Sequence, residues 1–299
     1  MNLLHFQKEY APAKLFKLEQ NYRSTQTLVE AANSLIAHNR GRIPKHVFSE
    51  NEVGDPIQLI EAYSDHEEAS MVAMRINRLV RSMGATYGDV AVLYRVNALS
   101  RLLEDAMRNS AIPYVIYGGQ SFYQRKEIKD ALAYLRLVTN RDDNEAFLRV
   151  VNYPTRGIGD TTVGRLMEAS RLNKCSLMQV AIAPERMTND LSAATQKKVS
   201  EFAQMIERFA EEMQTKDAYV FAQDLMTQTG ILREAKSDTT PEGVARYENL
   251  EEMLSSIHEF CERRQQDGID FTPIADFLAE VSLLTDQDEN KEDNQARVT

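Results

Sequence analysis

The hydrophobic pattern changes period once, at Gly118-Gly119, and that change limits the chain to two architectures joined in series. Before it, short apolar runs alternate with helical stripes. Residues 57–62, IQLIEA, follow Gly54-Asp55-Pro56, and residues 90–94, VAVLY, follow Gly88-Asp89. Both read as strands, and the unbroken apolar run at 90–94 predicts a strand covered on both faces. Residues 15–24 and 114–117 read as further extended segments. Between them lie helical stripes. Leu28, Ala32, Leu35 and Ile36 follow the N-cap types Ser24 and Thr25 and stop before Gly41 and Pro44. Val72, Ile76, Leu79, Val80 and Met83 follow Asp65, a candidate cap, and stop at Gly84. Leu99, Leu102, Leu103 and Ala106 form a third stripe. Strands alternating with helices predict a parallel α/β sheet.

Beyond Gly119 the 3.6-residue period stands almost alone. Helices are predicted near 128–138, 143–152, 160–173, 175–183, 194–214, 217–229, 243–264 and 272–284. Phe202, Ile206, Phe209 and Met213 show the period plainly, as do Tyr247, Leu250, Leu254 and Ile257. The expected fold class is therefore α/β plus all-α. An incomplete parallel sheet spans 1–117 and a helical domain spans 118–285. An acidic tail at 286–299, TDQDENKEDNQARVT from Thr285, is too polar to pack and is expected to be disordered.

Composition excludes several function classes. The 299 residues carry 35 basic and 45 acidic side chains, a net charge of −10. Residues 1–116 hold 13 of each sign and residues 117–184 hold 10 basic against 7 acidic. The acidity therefore lies in the last third, and a polyanion could approach only the rest. No apolar run approaches the length of a membrane span, so no membrane partner is expected. The start, MNLLHFQKEY, lacks the pattern of a secretory signal. Cys175 and Cys261 have no metal-ligand spacing, and a reducing, cytoplasmic setting is expected.

Self-sufficient catalytic chemistry is not visible. No Gly-Lys dipeptide is present, hence no phosphate-binding P-loop. The one Asp-Glu pair, Asp288-Glu289, has no apolar strand before it to make a magnesium site. No HExxH and no GxSxG occur, and no metal site is expected.

Four segments carry candidate chemistry. In Gln20-Asn21-Tyr22-Arg23-Ser24, a ring and a guanidinium stand beside a helix start. A ring stacks on a base, the guanidinium forks onto phosphate oxygens, and helix-start N–H groups favour anions. The same residues would equally make a buried Tyr22 and a surface pair of Arg23 with Glu19. At the end of the predicted strand 90–94, Arg95 and Asn97 lie where α/β sheets present ligands, and Asn97 would also serve as an N-cap. Gly118 and Gly119 permit a sharp reversal between domains. In Thr155-Arg156-Gly157-Ile158-Gly159-Asp160-Thr161, two glycines allow close backbone approach to a phosphate, with Arg156 and Thr155 adding donors. The bland reading is a turn between helices, capped by Asp160.

These segments together resemble the superfamily 1 DNA helicases of the UvrD/PcrA/Rep type. LEQNYRST resembles their fourth helicase motif, and VAVLYRVNALSRLLEDAMRNSAIPYVIYGGQSFYQRKEIKDALAYLRLV resembles the block that follows. VVNYPTRGIGDTT resembles the duplex-contacting loop of the family's inserted domain, and RYENLEEML resembles a helix near that domain's end. The resemblance covers about 15–285, in the family's order and spacing. It implies the first part of a RecA-like subdomain, 2A, followed by the helical insertion, 2B. The P-loop subdomain and the late motifs are missing, as in an excised piece.

The resemblance assigns roles by position. Arg23 matches the arginine that senses the γ-phosphate, acting only with the missing subdomain. Tyr22 matches the ring that stacks on adenine, and Gln20 supports it. Arg95 and Asn97 match residues of the single-strand track. Thr155, Arg156, Gly157, Ile158, Gly159 and Thr161 match the duplex-contacting loop, and Gly118 and Gly119 the hinge. The implied parent is an ATP-dependent 3′–5′ DNA helicase of repair or replication restart, using ATP and Mg2+. None of this cofactor is expected on the chain alone. The implied partners are a single-strand/duplex junction, the missing subdomains and repair proteins. The alternative is a non-catalytic DNA-binding or protein-interaction module with the 2B fold. Without returning strands, the 2A part is expected to leave a sheet edge or apolar patch exposed and so to self-associate.

Overall fold

The computed structural model describes Tyr10 and residues 13–40, 42–95, 99–116, 120–187, 191–289 and 296–299. The chain divides into two compact units, Met1–Ala62 and Tyr63–Thr299.

The smaller unit is built around one helix, α1 (Gln26–Ala37). Beside it, Gln20 and Phe48 form an isolated parallel bridge. The Phe48 amide donates to Glu19 O at 2.9 Å, and the Asn21 amide to Phe48 O at 2.8 Å. Asn33 of α1 ties this bridge to the helix, because its amide group donates to Val47 O and accepts from Val47 N. The stripe on α1 forms at the predicted spacing, yet only Val29 is buried and Leu35 is 78% exposed. A lone helix and a few extended segments supply no second layer to cover it.

The larger unit begins with α2 (Asp65–Met83) and α3 (Ser100–Asn109). Ser64, not Asp65, caps α2, accepting from the Glu67 amide, and Gly84 ends it in the left-handed region at φ +74°. The helical part continues with α4 (Lys126–Thr139), α5 (Asn144–Val150), α6 (Asp160–Asn173), α7 (Leu177–Ile182) and α8 (Ala193–Glu212). It ends with α9 (Ala218–Thr229), α10 (Ile231–Ser237), α11 (Pro241–Gln266) and α12 (Ile274–Glu289). Helix α10 is absent from the sequence reading. Gly230, at φ +88°, ends α9 and opens α10, and seven residues are too few to show a period. Helix α4 is buried along most of its length, and Ile128, Leu135, Leu137 and Val138 are sealed from solvent. It is the axis against which α5, α8, α11 and α12 pack.

The predicted sheet is present only in outline. Among the described residues no extended ladder forms. Tyr114 and Val298 make an isolated parallel bridge, and the segments 57–62 and 90–94 form no strand. A strand needs a ladder partner along its length, and these find one only in part. The expectation of a doubly covered strand at 90–94 is corrected accordingly, since Leu93 is 94% exposed.

The C-terminal residues correct two further expectations. Helix α12 runs on to Glu289, and residues 290–295 lie outside the described residues. Residues 296–299 are packed rather than disordered. Val298 donates to Pro113 O at 2.9 Å and accepts from Val115 N at 2.8 Å. Thr299 donates to Val90 O at 3.1 Å and accepts from Val92 N at 2.8 Å. A returning segment therefore does lie between 90–92 and 113–115, where an open edge was expected. Val298 joins Ala73, Ile76, Met107, Ile112 and Tyr114 in a second, smaller core.

Arg101 links α3 to α11. Its side chain is 5% exposed and donates to Glu252 at 2.5 Å, Glu259 at 3.0 Å and Asp105 at 3.2 Å. Burial opposes its charge, but Glu252, Glu259 and Asp105 outweigh burial and raise its pKa. Glu252 and Asp105 bear the desolvation cost, and burial raises their pKa values despite Arg101. Asn249, one turn from Glu252, accepts from Arg125 at 2.7 Å and donates to Glu127 at 2.5 Å. Arg101→Ala is expected to lower unfolding free energy by about 3 kcal/mol, read from urea unfolding, because it strands three part-buried carboxylates. Helix α11 also carries Cys261, whose thiol burial and then a hydrogen bond to Asp217 push up to about 12. In native protein at pH ~8, Cys261 is expected to alkylate roughly a thousandfold more slowly than an ordinary thiol. Mass spectrometry with and without urea reads this directly.

Candidate nucleotide and nucleic-acid surfaces

In the smaller unit, the segment 20–24 is shaped by Asn21. Its side-chain oxygen accepts from the amides of Arg23 at 2.9 Å and Ser24 at 2.8 Å, an Asx turn. The turn throws the Tyr22 ring and the Arg23 side chain outward. Tyr22 is 79% exposed and its hydroxyl donates to Gln20 Oε1 at 2.8 Å. The bland pairing of Arg23 with Glu19 is not what forms, since Glu19 Oε1 accepts from the His46 amide. The start of α1 differs from expectation. Its Gln26 and Thr27 amides donate to Glu52 O and Val53 O, each at 3.0 Å, so these donors are not open to an anion. Gly54 permits this closure, because a Cβ there would collide with the Thr25 side chain at 2.6 Å. Tyr22 and Arg23 thus stand exposed beside Gln20, free of structural contacts that would hold them inward. Among the described residues, no three His, Cys, Asp or Glu side chains gather as a metal site.

In the larger unit, Arg95 stands exposed at the end of the extended run 90–94. Asn97, Gly118 and Gly119 lie outside the described residues.

The loop between α5 and α6 is the most ordered candidate. Asn152 Oδ1 accepts from the amides of Arg156 at 2.9 Å and Ile158 at 3.0 Å, folding the loop around one side chain. The six residues named from sequence then divide. Arg156 turns inward, donating to Val150 O, Pro154 O and Thr229 O, with its guanidinium over the rings of Tyr134 and Phe202. Ile158 is 1% exposed and belongs to the core. Both shape the loop: Ile158 is sealed from solvent, and Arg156 is half-buried with its guanidinium spent on backbone carbonyls. Thr155, Gly157, Gly159 and Thr161 are exposed. Gly159 is the N-cap of α6, and the amides of Asp160 and Thr161 meet no acceptor among the described residues. The result is a rigid, solvent-facing backbone ridge ending on open helix donors, suited to an anion.

Two residues here escaped the sequence reading. Asn152 carries no motif signal beyond its place before the loop. Lys198, on α8, is remote in sequence, and only the fold brings it to Gly157.

A model of the UvrD-like helicase C-terminal domain matches residues 16–299. The chain belongs to the UvrD-like helicase C-terminal domain family. It is 40% identical over 293 residues to the ATP-dependent DNA helicase PcrA of Leuconostoc citreum, covering 97% of this chain and 39% of that protein. It is 36% identical to DNA helicase II of Escherichia coli K12, over 94% of this chain and 39% of that protein. It is 35% identical to the ATP-dependent DNA helicase UvrD1 of Mycobacterium bovis, over the whole chain and 40% of that protein. The chain thus spans about two fifths of the curated relatives it matches. The UvrD-like match contains both the 20–24 turn and the 155–161 loop. Because Arg23 carries no structural load, Arg23→Ala is expected to change unfolding free energy by less than about 0.5 kcal/mol in urea unfolding. A larger loss would mean that Arg23 serves the fold.

Proposed function

We propose that this chain is the duplex-handling part of an ATP-dependent DNA helicase that moves 3′ to 5′ along a single strand. Repair or replication restart, in a reducing cytoplasm, is the setting we assign to it. The family match over residues 16–299, together with the exposed backbone ridge at 155–161, supports this reading. Residues 1–117 take the part of a RecA-like subdomain, 2A. The parallel register of Val298 with Tyr114 suits that assignment. Residues 118–285 take the part of the helical insertion, 2B, with Gly118 and Gly119 as the hinge.

Each surface has a distinct task. Tyr22 would stack on the adenine of ATP, Gln20 would hold the Tyr22 hydroxyl, and Arg23 would meet the γ-phosphate. ATP with Mg2+ supplies the phosphoryl transfer that drives movement; the magnesium ligands and phosphate loop belong to the subdomain this chain lacks. Arg95 and Asn97 would touch the single strand. At the duplex, the amides of Asp160 and Thr161 and the backbone at Gly157 and Gly159 would meet phosphate oxygens. Thr155 would add a hydroxyl, while Arg156 and Ile158 would keep the ridge stiff. Phosphate contacts of this kind hold position without reading sequence. The other helicase subdomains and repair proteins are its partners on this reading.

Gly159→Asp separates the functional from the structural role of the ridge. Its backbone is extended, a Cβ there meets nothing within 4 Å, and Asp is a favoured N-cap residue. Folding should survive while a carboxylate stands where the phosphate would lie. Fluorescence anisotropy with a 3′-tailed duplex is expected to show salt-sensitive binding, weakened about tenfold or more by Gly159→Asp. Unchanged affinity would remove the ridge from the DNA surface.

A further inference from the structure

Lys198 occupies a position that no sequence motif marks. It lies on α8, and its ammonium stands where the missing side chain of Gly157 would project. A Cβ built on Gly157 would come within 2.7 Å of Lys198 Nζ. Gly157 has φ +72°, a conformation that already favours glycine. Its lack of a side chain therefore does two things: it permits the turn, and it leaves room for a cation against the exposed ridge.

Among the described residues, the charge of Lys198 meets no carboxylate. Its neighbour Lys197 pairs with Glu201 at 3.8 Å, and nearby Arg208 pairs with Glu212 at 3.7 Å. Lys198 has no ion-pair partner among the described residues, and it is exposed. Several cations in this acidic third are held by its own carboxylates, as at Lys216 with Glu212 and Asp224. Arg186, Arg233 and Lys236 share with Lys198 the lack of an ion pair among the described residues, but Lys198 is set against a backbone ridge with open amides.

We infer that Lys198 is a further contact of the duplex surface, extending the ridge at 155–161 onto α8 and binding the same phosphate backbone. This rests on the function proposed above and adds a residue to it. The ridge supplies neutral donors; Lys198 supplies the formal charge that the inward-turned Arg156 does not. Its contribution should follow salt and ignore base sequence, as a point charge on phosphate does.

The test is anisotropy across a salt series with a 3′-tailed duplex and with a single strand of equal length. The chain is compared with Lys198→Ala, Lys198→Arg, Lys197→Ala and Gly159→Asp. Lys198→Ala is expected to weaken duplex binding several-fold and to lower the slope of log K against log salt by about 0.9, the loss of one phosphate contact. Lys198→Arg should restore both, and Lys197→Ala should change neither. Urea unfolding is expected to be unchanged by Lys198→Ala. If Lys198→Ala keeps the parent slope while Gly159→Asp loses binding, the inference falls and the proposed function stands. If Lys198→Ala loses as much slope on single strand as on duplex, the assignment to duplex is overturned. No binding by the unsubstituted chain at low salt would overturn both.

Discussion

The larger unit depends on one buried cation. Arg101 leaves α3 and is received by Glu252 and Glu259 on α11, far along the chain, and by Asp105 on its own helix. Such a cluster adds little net stability, because taking the charges out of water costs nearly what their attraction returns. Its effect is on uniqueness. Only one placement of α3 against α11 satisfies all three carboxylates, and any other leaves a charge buried alone. Asn249 reinforces that placement from the next turn, holding Arg125 and Glu127 at the start of α4. Glu104 does the same for the crossing segment, accepting from Ser121 Oγ at 2.7 Å and from the Phe122 amide at 3.0 Å.

With α4 and α11 fixed, the 155–161 ridge is held from beneath. Tyr134 of α4 donates to the Val150 and Tyr153 carbonyls, and its ring supports Arg156. Asn152 closes the loop from within, and Ile158 anchors it in the core. A backbone that is to bind without ordering cost must be stiff, because a flexible loop would lose entropy on each encounter. Here buried Tyr134 and half-buried Asn152 and Arg156 tie the loop down and leave the exposed positions to glycine and threonine.

Much of the helical part was legible in the sequence, and much of the sheet was not. Phe202, Ile206 and Phe209 fall on α8 and Tyr247, Leu250, Leu254 and Ile257 on α11, as their spacing predicts, because periodicity is local. Within RYENLEEML the period places Tyr247, Leu250 and Leu254 on one face, while the polar contacts of Asn249 and Glu252 with Glu127 and Arg101 carry no local signal. Extended segments depend on partners remote in sequence. The run 90–94 therefore looked doubly covered when Leu93 is bare, and the polar tail looked free when Val298 is buried. At the 20–24 turn, the exposure of Tyr22 and Arg23 was consistent with their residue types. The closure of the α1 start by Glu52 and Val53 could not be read from it.

By itself, the sequence determined where most of the helices run, where the pattern changes period and which helicase family the chain resembles. Periodicity, caps and motif spacing are properties of neighbouring residues and need no fold to be read. Only the tertiary structure decided which residues of the 155–161 loop face solvent. It also decided that the buried Arg101 is spent on three part-buried carboxylates, that Val298 fills a second core, and that Lys198 meets Gly157. Each of these depends on side chains far apart in sequence meeting at a few ångströms, and burial makes one arrangement satisfy their polar groups together.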